Sequence, residues 1–336
     1  MTIFKNKFMF IIAVLDSMAE CDQDIQKGSS TELTQLVMER QVDFYMGTVA
    51  DITVMPDGKI VAVLHESGSR YTYTYIVHVV DLDATKLNNR IEHKNTFSNS
   101  IMYNIQCKSA SVVSIGSNVV MVVTVRGETY TSEDKTKQRV ITEIVKGRHA
   151  VTNGLISEIA STRSVKEYEF DVVCAKSDQV FIMFLTTTPP QLEIENLATG
   201  LSDNVQLKSF STQFLPAFSK PYMCADDSEG QTHLFISAMV GLGNRVVTKL
   251  NLKGDILATL VDPMASIPGP IAAVGDGTLL FNYGGNICLL SDKCKIVDTL
   301  ASAVYKLKAM CITRTTRGLK LYCVDERTSF KEYSVK

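Results

Sequence analysis

The residue types that most often carry enzyme chemistry are present in this sequence, but they are scattered. There is no Gly-x-Ser-x-Gly nucleophile elbow, no phosphate-binding Walker loop and no His-Glu-x-x-His metalloprotease motif. The five histidines are His65, His78, His93, His149 and His233. Most fall in strand-like stretches, where a lone histidine is more often structural than catalytic. We therefore predict no catalytic residue, no metal site and no cofactor.

The eight cysteines are Cys21, Cys107, Cys174, Cys224, Cys288, Cys294, Cys311 and Cys323. They form no Cys-x-x-Cys pair, so no zinc finger, RING or B-box pattern is present. Most lie in apolar runs such as VVCAK and LYCVD, where a free cysteine behaves as a small buried hydrophobe. This usage favours a reducing, cytoplasmic compartment. Whether Cys288 and Cys294 form a bridge is left open.

The charge balance excludes a strongly electrostatic partner. The formal net charge is -2 and 21% of the residues are charged. Such a balance creates no field that would attract nucleic acid or acidic lipid. We therefore expect neither nucleic-acid binding nor membrane binding.

The N-terminus allows two interpretations. Residues 1–30 read as a short helix or tail, which could be the remnant of a coiled coil. Alternatively, the lysines, the apolar run Phe8–Leu15 and the small residues Ser17 and Ala19 resemble a signal peptide within residues 1–19, which would make the protein secreted. The apolar run is too short to span a bilayer. No Asn-x-Ser/Thr sequon occurs, which favours the cytoplasmic alternative.

A hairpin pattern recurs six times along the chain. Its clearest copy is VADITVMPDGKIVAVLHE, in which two apolar strands flank a Pro-Asp-Gly turn. The copies start at Val49, Ser111, Asp171, Pro221, Pro270 and Lys308, a spacing of roughly 40–60 residues that is typical of propeller blades. A third and a fourth strand follow most hairpins, the fourth including VQLKSFST over 205–212 in the third copy. We predict an all-β fold, a six-bladed β-propeller of four-stranded antiparallel blades over residues 31–336.

One aligned column of the first strands contains only small residues. Its members are Thr53, Ser114, Cys174, Cys224, Ala273 and Cys311. In a propeller the innermost strands converge on a central axis, where bulky side chains would collide. The column therefore supports the propeller prediction.

The sixth copy ends after its third strand, whereas a spare strand precedes the first copy. Residues 35–44 are predicted to pair with the last blade and to close the ring with chain from both ends.

These units resemble a known family of propellers. The phrases ADITVMPDGKIVAV and TKLNLKGDILATL are similar to repeats of the six-bladed NHL-type propellers at the C-terminus of invertebrate tripartite-motif proteins. The family pattern matches at Pro56-Asp57-Gly58 and Asn251-Leu252-Lys253-Gly254, although no unit carries the Asn-His-Leu signature. A WD40 propeller fits less well because the chain has no Trp, and a kelch propeller because only one Gly-Gly, at Gly284-Gly285, occurs.

The resemblance implies a substrate- or partner-recognition module without RING or B-box, which has no enzymatic activity of its own. The alternative is a divalent-metal-dependent propeller hydrolase or lactonase, since such enzymes bind a cation at the channel mouth through acidic residues of several blades. The acidic residues near strand ends are Glu66, Glu169, Asp226, Asp262 and Glu326. Solvated loop carboxylates are the simpler interpretation of these five.

The loops between second and third strands and between successive blades should share one face of the propeller. Basic and acidic residues occur on these loops in nearly equal numbers, which argues against RNA binding. Exposed aromatic and arginine side chains on a rigid face are usual anchors for a protein or peptide ligand. The candidate anchors are Arg70, Tyr71, Tyr73, Tyr103, Arg126, Tyr130, Phe214, Phe218, Tyr283 and Arg327. Packing between blades is the other role open to the aromatic ones.

Overall fold

The structure is a computed structural model. It describes residues 35–43, 48–67, 73–80, 87–95, 103–130, 138–166, 172–184, 187, 189–207, 221–228, 230–240, 244–262, 269–275, 277–302, 306–316, 318–326 and 329–336. All regular elements in these ranges are β-strands. None of the described residues forms a helix of the length and hydrophobicity that a membrane crossing requires. The predicted helix or tail at 1–30 lies outside the described residues.

The strands form six four-stranded antiparallel sheets, each of which is one blade. Blades 1 and 2 consist of β2 (Thr48–Val54), β3 (Ile60–Ser67), β4 (Tyr73–Val80), β5 (Leu87–Asn95), β6 (Tyr103–Ile115), β7 (Asn118–Tyr130), β8 (Gln138–Thr152) and β9 (Leu155–Lys166). Blades 3 and 4 consist of β10 (Val172–Lys176), β11 (Gln179–Phe184), β12 (Gln191–Asn196), β13 (Leu201–Gln206), β14 (Tyr222–Ser228), β15 (Gln231–Val240), β16 (Asn244–Asn251) and β17 (Ile256–Asp262). Blades 5 and 6 consist of β18 (Ile271–Ala273), β19 (Leu279–Tyr283), β20 (Asn286–Leu290), β21 (Ile296–Ala301), β22 (Leu307–Thr315), β23 (Gly318–Asp325), β24 (Ser329–Val335) and β1 (Leu36–Asp43).

The blades close into a ring through their first strands. Each first strand contacts the first strand of the next blade, in the order β2, β6, β10, β14, β18 and β22, and β22 contacts β2 again. The predicted six-bladed β-propeller with four-stranded antiparallel blades is therefore confirmed.

The fourth strand of blade 6 comes from the other end of the chain. β1 pairs antiparallel with β24, from Leu36 opposite Val335 to Asp43 opposite Ser329. The Ser329 hydroxyl also donates to the Asp43 carboxylate. The sheet order β1-β24-β23-β22 thus joins an early segment of the chain to the last three strands.

The core lies between neighbouring blades. The second strand of each blade is covered on both sheet faces, as residues 60–64 of β3 illustrate, since each is at most 1% exposed. Apolar clusters fill the spaces between blades 1 and 2, 2 and 3, 3 and 4, 4 and 5, and 6 and 1. Burial on both faces explains why second strands read as continuous apolar runs in the sequence.

Side chains of the first strands connect successive blades. The Thr53 hydroxyl accepts a hydrogen bond from the Ser114 N–H at 3.1 Å. The Ser111 hydroxyl accepts from the Ala175 N–H at 3.1 Å. The Asp226 carboxylate accepts from the Gly277 N–H at 2.9 Å. Small polar residues near the axis therefore satisfy backbone donors at the inner edge of the next blade.

The predicted small-residue column needs a correction. Thr53, Cys174, Cys224 and Cys311 face the next blade around the ring. Ser114 and Ala273 face the preceding blade, because the Ser114 hydroxyl donates to the Val54 carbonyl and Ala273 packs between blades 4 and 5. The hairpin turns differ in length between blades, so an alignment counted from the turn is shifted by one residue in some blades. A shift of one residue along a strand places the side chain on the opposite face of the sheet.

The predicted fourth strand of blade 3 also needs a correction. The sequence placed it at 205–212, whereas β13 spans Leu201–Gln206. Most side chains of β13 are exposed. An exposed strand needs no alternation of apolar and polar residues, so the sequence LSDNVQ lacks the pattern by which strands are predicted.

Candidate functional site

One end of the propeller carries the connections from second to third strands and from each blade to the next. We call this end the loop face. The hairpin turns between first and second strands lie at the other end, which follows from the antiparallel order of each blade. The loop face is the surface on which the sequence placed its candidate anchors.

The central opening on the loop face is narrow. Residues of all six first strands surround it, close to the strand start in every blade except blade 2, where the lining lies in the middle of β6. One lining residue from each strand is Ala50, Ser109, Val172, Tyr222, Ile271 and Lys308. They enclose a cavity of about 30 Å³. A volume of this size accommodates about one or two water molecules. The described part of the opening is therefore too small for a metabolite.

Blade 2 is longer than its neighbour. The second strands of both blades, β7 and β11, begin at the hairpin turns on the end opposite the loop face. β7 is 13 residues long, whereas β11 of blade 3 is 6 residues long. The pairing of β7 with β8 continues to Tyr130 opposite Gln138. At about 3.3 Å per residue, β7 extends roughly 20 Å further than β11. The loop face is thus uneven, with blade 2 rising beside blade 3.

Charges of both signs lie together on the loop face at blade 6. Lys308 Nζ lies 3.6 Å and Lys306 Nζ 4.0 Å from the same Glu326 carboxylate oxygen. The Lys306 and Glu326 side chains are 64% and 45% exposed. This cluster is an example of the mixed charge that the sequence predicted for these loops.

The structure describes five of the ten candidate anchors, three of them by their backbone alone. Arg70, Tyr71, Phe214, Phe218 and Arg327 lie outside the described residues. Tyr73, Tyr103 and Tyr130 are at strand ends rather than in loops, at the start of β4, the start of β6 and the end of β7. The backbone thus places these three at the loop face.

Arg126 and Tyr283 are described completely, and both are half-buried within strands. Arg126 lies in β7 opposite Thr142. Tyr283 packs against the cluster between blades 4 and 5, with its ring centroid 6.0 Å from that of Phe281. The contacts of Tyr283 show a packing role.

The two acidic metal-site candidates whose side chains the structure describes, Asp226 and Glu326, do not converge. Asp226 is fully buried in the half of β14 that leads to the hairpin turn, so it lies toward the end opposite the loop face. Glu326 binds two lysines at the loop face. Glu66 and Asp262 lie near the ends of β3 and β17, and Glu169 is outside the described residues. Among the described residues, no three histidine, cysteine or acidic side chains are grouped as metal ligands.

Burial makes the described thiols weak acids. It raises the pKa values of Cys174, Cys224 and Cys311 well above the usual range. It also raises the pKa of Cys294 to about 11 and that of Cys323 to about 12. Because the thiolate is the nucleophile, these cysteines are unreactive at neutral pH. Cys288 and Cys294, whose pairing the sequence left open, are both free.

Three histidines are buried within the blades. His78, His149 and His233 are 7%, 0% and 5% exposed. His233 Nδ1 lies 3.0 Å from the hydroxyl of Ser228 on the adjacent strand. These positions agree with the structural role that the sequence suggested for lone strand histidines.

A buried ionic cluster that sequence analysis did not anticipate connects blades 2 and 3. Lys146 of β8 contacts the carboxylates of Glu193, at 3.2 Å, and Glu195, both on β12. The Lys146 and Glu193 side chains are 6% and 8% exposed. The alternation QLEIEN in β12 was a visible signal for two acidic residues on one face, but nothing in the sequence pointed to their lysine partner.

No protein-family model matches this chain, and no curated protein matches it. Many solved structures match this chain, and two of them serve as examples. One is the Trypanosoma rangeli sialidase in complex with sialic acid, with 11% identity and a TM-score of 0.45 over 89% of this chain and 58% of that chain. The other is a Thermus thermophilus protein described as a putative oxidoreductase (glucose dehydrogenase), with 11% identity and a TM-score of 0.46 over 88% of this chain and 99% of that chain.

Proposed function

We propose that this propeller is a protein-interaction module that recognises a protein or peptide partner through its loop face. In this proposal it is of the NHL-like type of tripartite-motif proteins, catalyses no reaction and acts in the cytoplasm. It binds neither nucleic acid nor membrane.

The narrow central opening is the observation that carries the proposal. Pockets that enclose small molecules usually have volumes of about 300–1,000 Å³, whereas the described opening has about 30 Å³. The small described opening therefore favours a ligand that contacts the surrounding surface. A protein or peptide partner can bind in this way.

Two further features support the proposal. The Lys306–Lys308–Glu326 cluster sets one negative charge against two positive charges and leaves a net charge of only +1, whereas a nucleic-acid site needs a clear positive surface. The extra length of blade 2 makes it project beside blade 3, so a partner could contact the side of blade 2 as well as the loop face.

Quantitative affinity capture from cell lysate, using the full chain as bait, tests the proposal. The loop-face variants are Lys306→Glu and the double variant Arg70→Ala/Tyr71→Ala. The matched control is Lys253→Glu, in an exposed turn between β16 and β17 at the opposite end. We expect partners captured by the wild-type chain to be depleted with the loop-face variants and retained with the control.

Two results would contradict the proposal. One is that the captured partners are lost with Lys253→Glu but unaffected by both loop-face variants. The other is that no protein is enriched over an unrelated propeller of equal size. Thermal melts of all variants show whether a loss of capture reflects unfolding.

A further inference from the structure

The outermost strands of the blades are protected against further pairing, with one exception. In five blades the outermost strand contains an extra residue relative to its neighbour. The register shifts lie at 38–40 in β1, 87–90 in β5, 158–160 in β9, 256–258 in β17, and 296–298 and 299–301 in β21. Such a bulge interrupts the ladder and twists an edge strand, which makes it a poor template for another strand.

The exception is β13, the outermost strand of blade 3. Its pairing with β12 is continuous, from Gln191 opposite Gln206 to Asn196 opposite Leu201. Five of its six residues are exposed, and 73% of the Leu201 surface is accessible to solvent. β13 is therefore a regular and accessible edge in a molecule whose other edges are bulged.

The backbone groups that β13 offers can be assigned from one hydrogen bond. The Leu207 N–H donates to the Pro190 carbonyl of the neighbouring chain segment at 2.8 Å. In a regular antiparallel strand, alternate residues direct both backbone groups to the same side. Ser202, Asn204 and Gln206 thus direct their N–H and C=O groups outward, where a further strand could bind.

The side chains of β13 indicate which strand would fit. Leu201, Asp203 and Val205 share the sheet face of Leu192 and Ile194, which pack toward blade 4. Asp203 is exposed and is the only charged residue of β13. A complementary strand would place a basic side chain opposite Asp203 and apolar side chains opposite Leu201 and Val205.

We propose that β13 accepts an extended segment of a partner protein as a fifth antiparallel strand, with the pattern apolar-x-basic-x-apolar. This strand-addition site is on the outer rim and does not depend on the function proposed for the loop face. A second copy of the chain is a poorer occupant, because β13 has no basic residue to pair with Asp203 of its counterpart.

Fluorescence anisotropy with synthetic peptides tests this site. The probe is fluorophore-labelled acetyl-Ser-Val-Thr-Arg-Thr-Val-Ser-amide. A second peptide has Glu in place of Arg, and a third carries N-methyl groups on the backbone nitrogens that would pair. The protein variants are Asp203→Lys, Asn204→Pro and the matched control Asn204→Ala. Proline is tolerated at position 204 because the N–H that it removes points outward.

We expect the Arg peptide to bind the wild-type chain and the N-methylated peptide to bind at least about tenfold more weakly. Asn204→Pro should lower the affinity for the Arg peptide by a similar factor, whereas Asn204→Ala should keep that affinity within about twofold of the wild-type value. Asp203→Lys should reverse the preference, so that the Glu peptide becomes the tighter ligand by about threefold.

Several results would overturn the proposal. They are no binding of the Arg peptide at millimolar concentration, equal affinity for wild type and a folded Asn204→Pro variant, or an unchanged peptide preference in Asp203→Lys. Sedimentation velocity provides one more test, because a wild-type dimer that Asn204→Pro dissociates would identify a second copy as the occupant instead. Far-UV circular dichroism and thermal melts establish that each variant is folded.

Discussion

The Asp51 carboxylate of blade 1 accepts a hydrogen bond from the backbone N–H of Val112 in blade 2, at 2.8 Å. The two residues lie on neighbouring first strands, which do not pair with each other as sheet partners. Without Asp51, this donor at the inner edge of blade 2 would lack its partner. Together with Thr53 and Ser114, this pair shows that side chains supply the polar connections between blades that no backbone ladder provides.

Replacing Thr53 with valine should destabilise the propeller by about 1–3 kcal/mol, because the Ser114 N–H loses its acceptor in a largely buried place while the side-chain shape is kept. Urea unfolding followed by circular dichroism measures the change. Thr53→Ser is the control, since it retains the hydroxyl and should cost less. If valine proves as stable as threonine, the hydrogen bond contributes nothing to joining the blades.

The sequence predicted the blades well because their first two strands are buried. Such strands combine apolar runs with short polar turns, and the repetition of this pattern identified all six copies. The outer strands were harder, as β13 illustrates: LSDNVQ is mostly solvent-exposed and lacks a regular apolar alternation, so the prediction moved to the stretch that follows.

The site was less predictable because it depends on distances between blades. The sequence showed Lys146, Glu193 and Asp226 as ordinary charged residues, and solvated loop carboxylates were the simpler interpretation of acidic candidates such as Asp226. Burial of Asp226 follows from contacts with blade 5, more than forty residues away along the chain, which no local pattern encodes. The lengths of the blade 2 strands were missed for a related reason, because their ends are polar.

Replacing Lys146 with methionine should destabilise the protein by about 3–5 kcal/mol, because two glutamates would remain close together in a largely buried place without a cation. Chemical unfolding measures this loss. The triple variant Lys146→Met/Glu193→Gln/Glu195→Gln should regain most of the stability, since it removes the uncompensated charges.

The neighbouring Arg148 provides a matched control for that experiment. Its Nε lies 3.4 Å from Asp178 Oδ1, but both side chains are about 30% exposed. Arg148→Met should therefore cost no more than about 1 kcal/mol. Equal losses for Lys146→Met and Arg148→Met would show that burial does not strengthen the Lys146 cluster.

Glu143 should make stability fall as the pH rises. Burial raises the pKa of Glu143 above its usual 4.5, and the Arg163 guanidinium, 3.8 Å away, opposes the shift. Below pH 4.5 both the folded and the unfolded chain hold the proton. Between 4.5 and the raised pKa only the folded chain holds it, so the free energy of unfolding declines across that window and stays lower above it.

Glu143→Gln should therefore be more stable than the wild type at pH 7.5, with a smaller gain at pH 4.5. Urea unfolding at the two pH values measures the difference. The control is Glu158→Gln, the same substitution in the exposed part of β9. A Glu143→Gln variant that loses stability at pH 7.5 would mean that the attraction of Arg163 outweighs the cost of burial.

The thiols should react slowly in the native protein. With a pKa of about 11, Cys294 is a thiolate in only about one molecule in a thousand at pH 8. Six cysteines are free and buried or half-buried, which leaves Cys21 and Cys107 as the two whose side chains are not described. Titration with Ellman's reagent should give at most two fast equivalents before unfolding and eight in denaturant. Three or more fast equivalents would contradict the assigned burial.

Two truncations should isolate the contribution of β1 to the last blade. Removal of residues 1–34 keeps β1, whereas removal of residues 1–44 deletes it and exposes the outer edge of β24. Lys320 would also lose Glu39, whose carboxylate lies 3.1 Å away and whose pKa is lowered by hydrogen bonds from Ser334 and Lys320. We expect the longer truncation to melt about 5 °C or more below the shorter one, which corresponds to roughly 3 kcal/mol for a chain of this size. Because both variants lack residues 1–34, only β1 and its short connection can account for the difference. Identical melting temperatures would mean that the three strands of β22–β24 are stable without the strand from the other end of the chain.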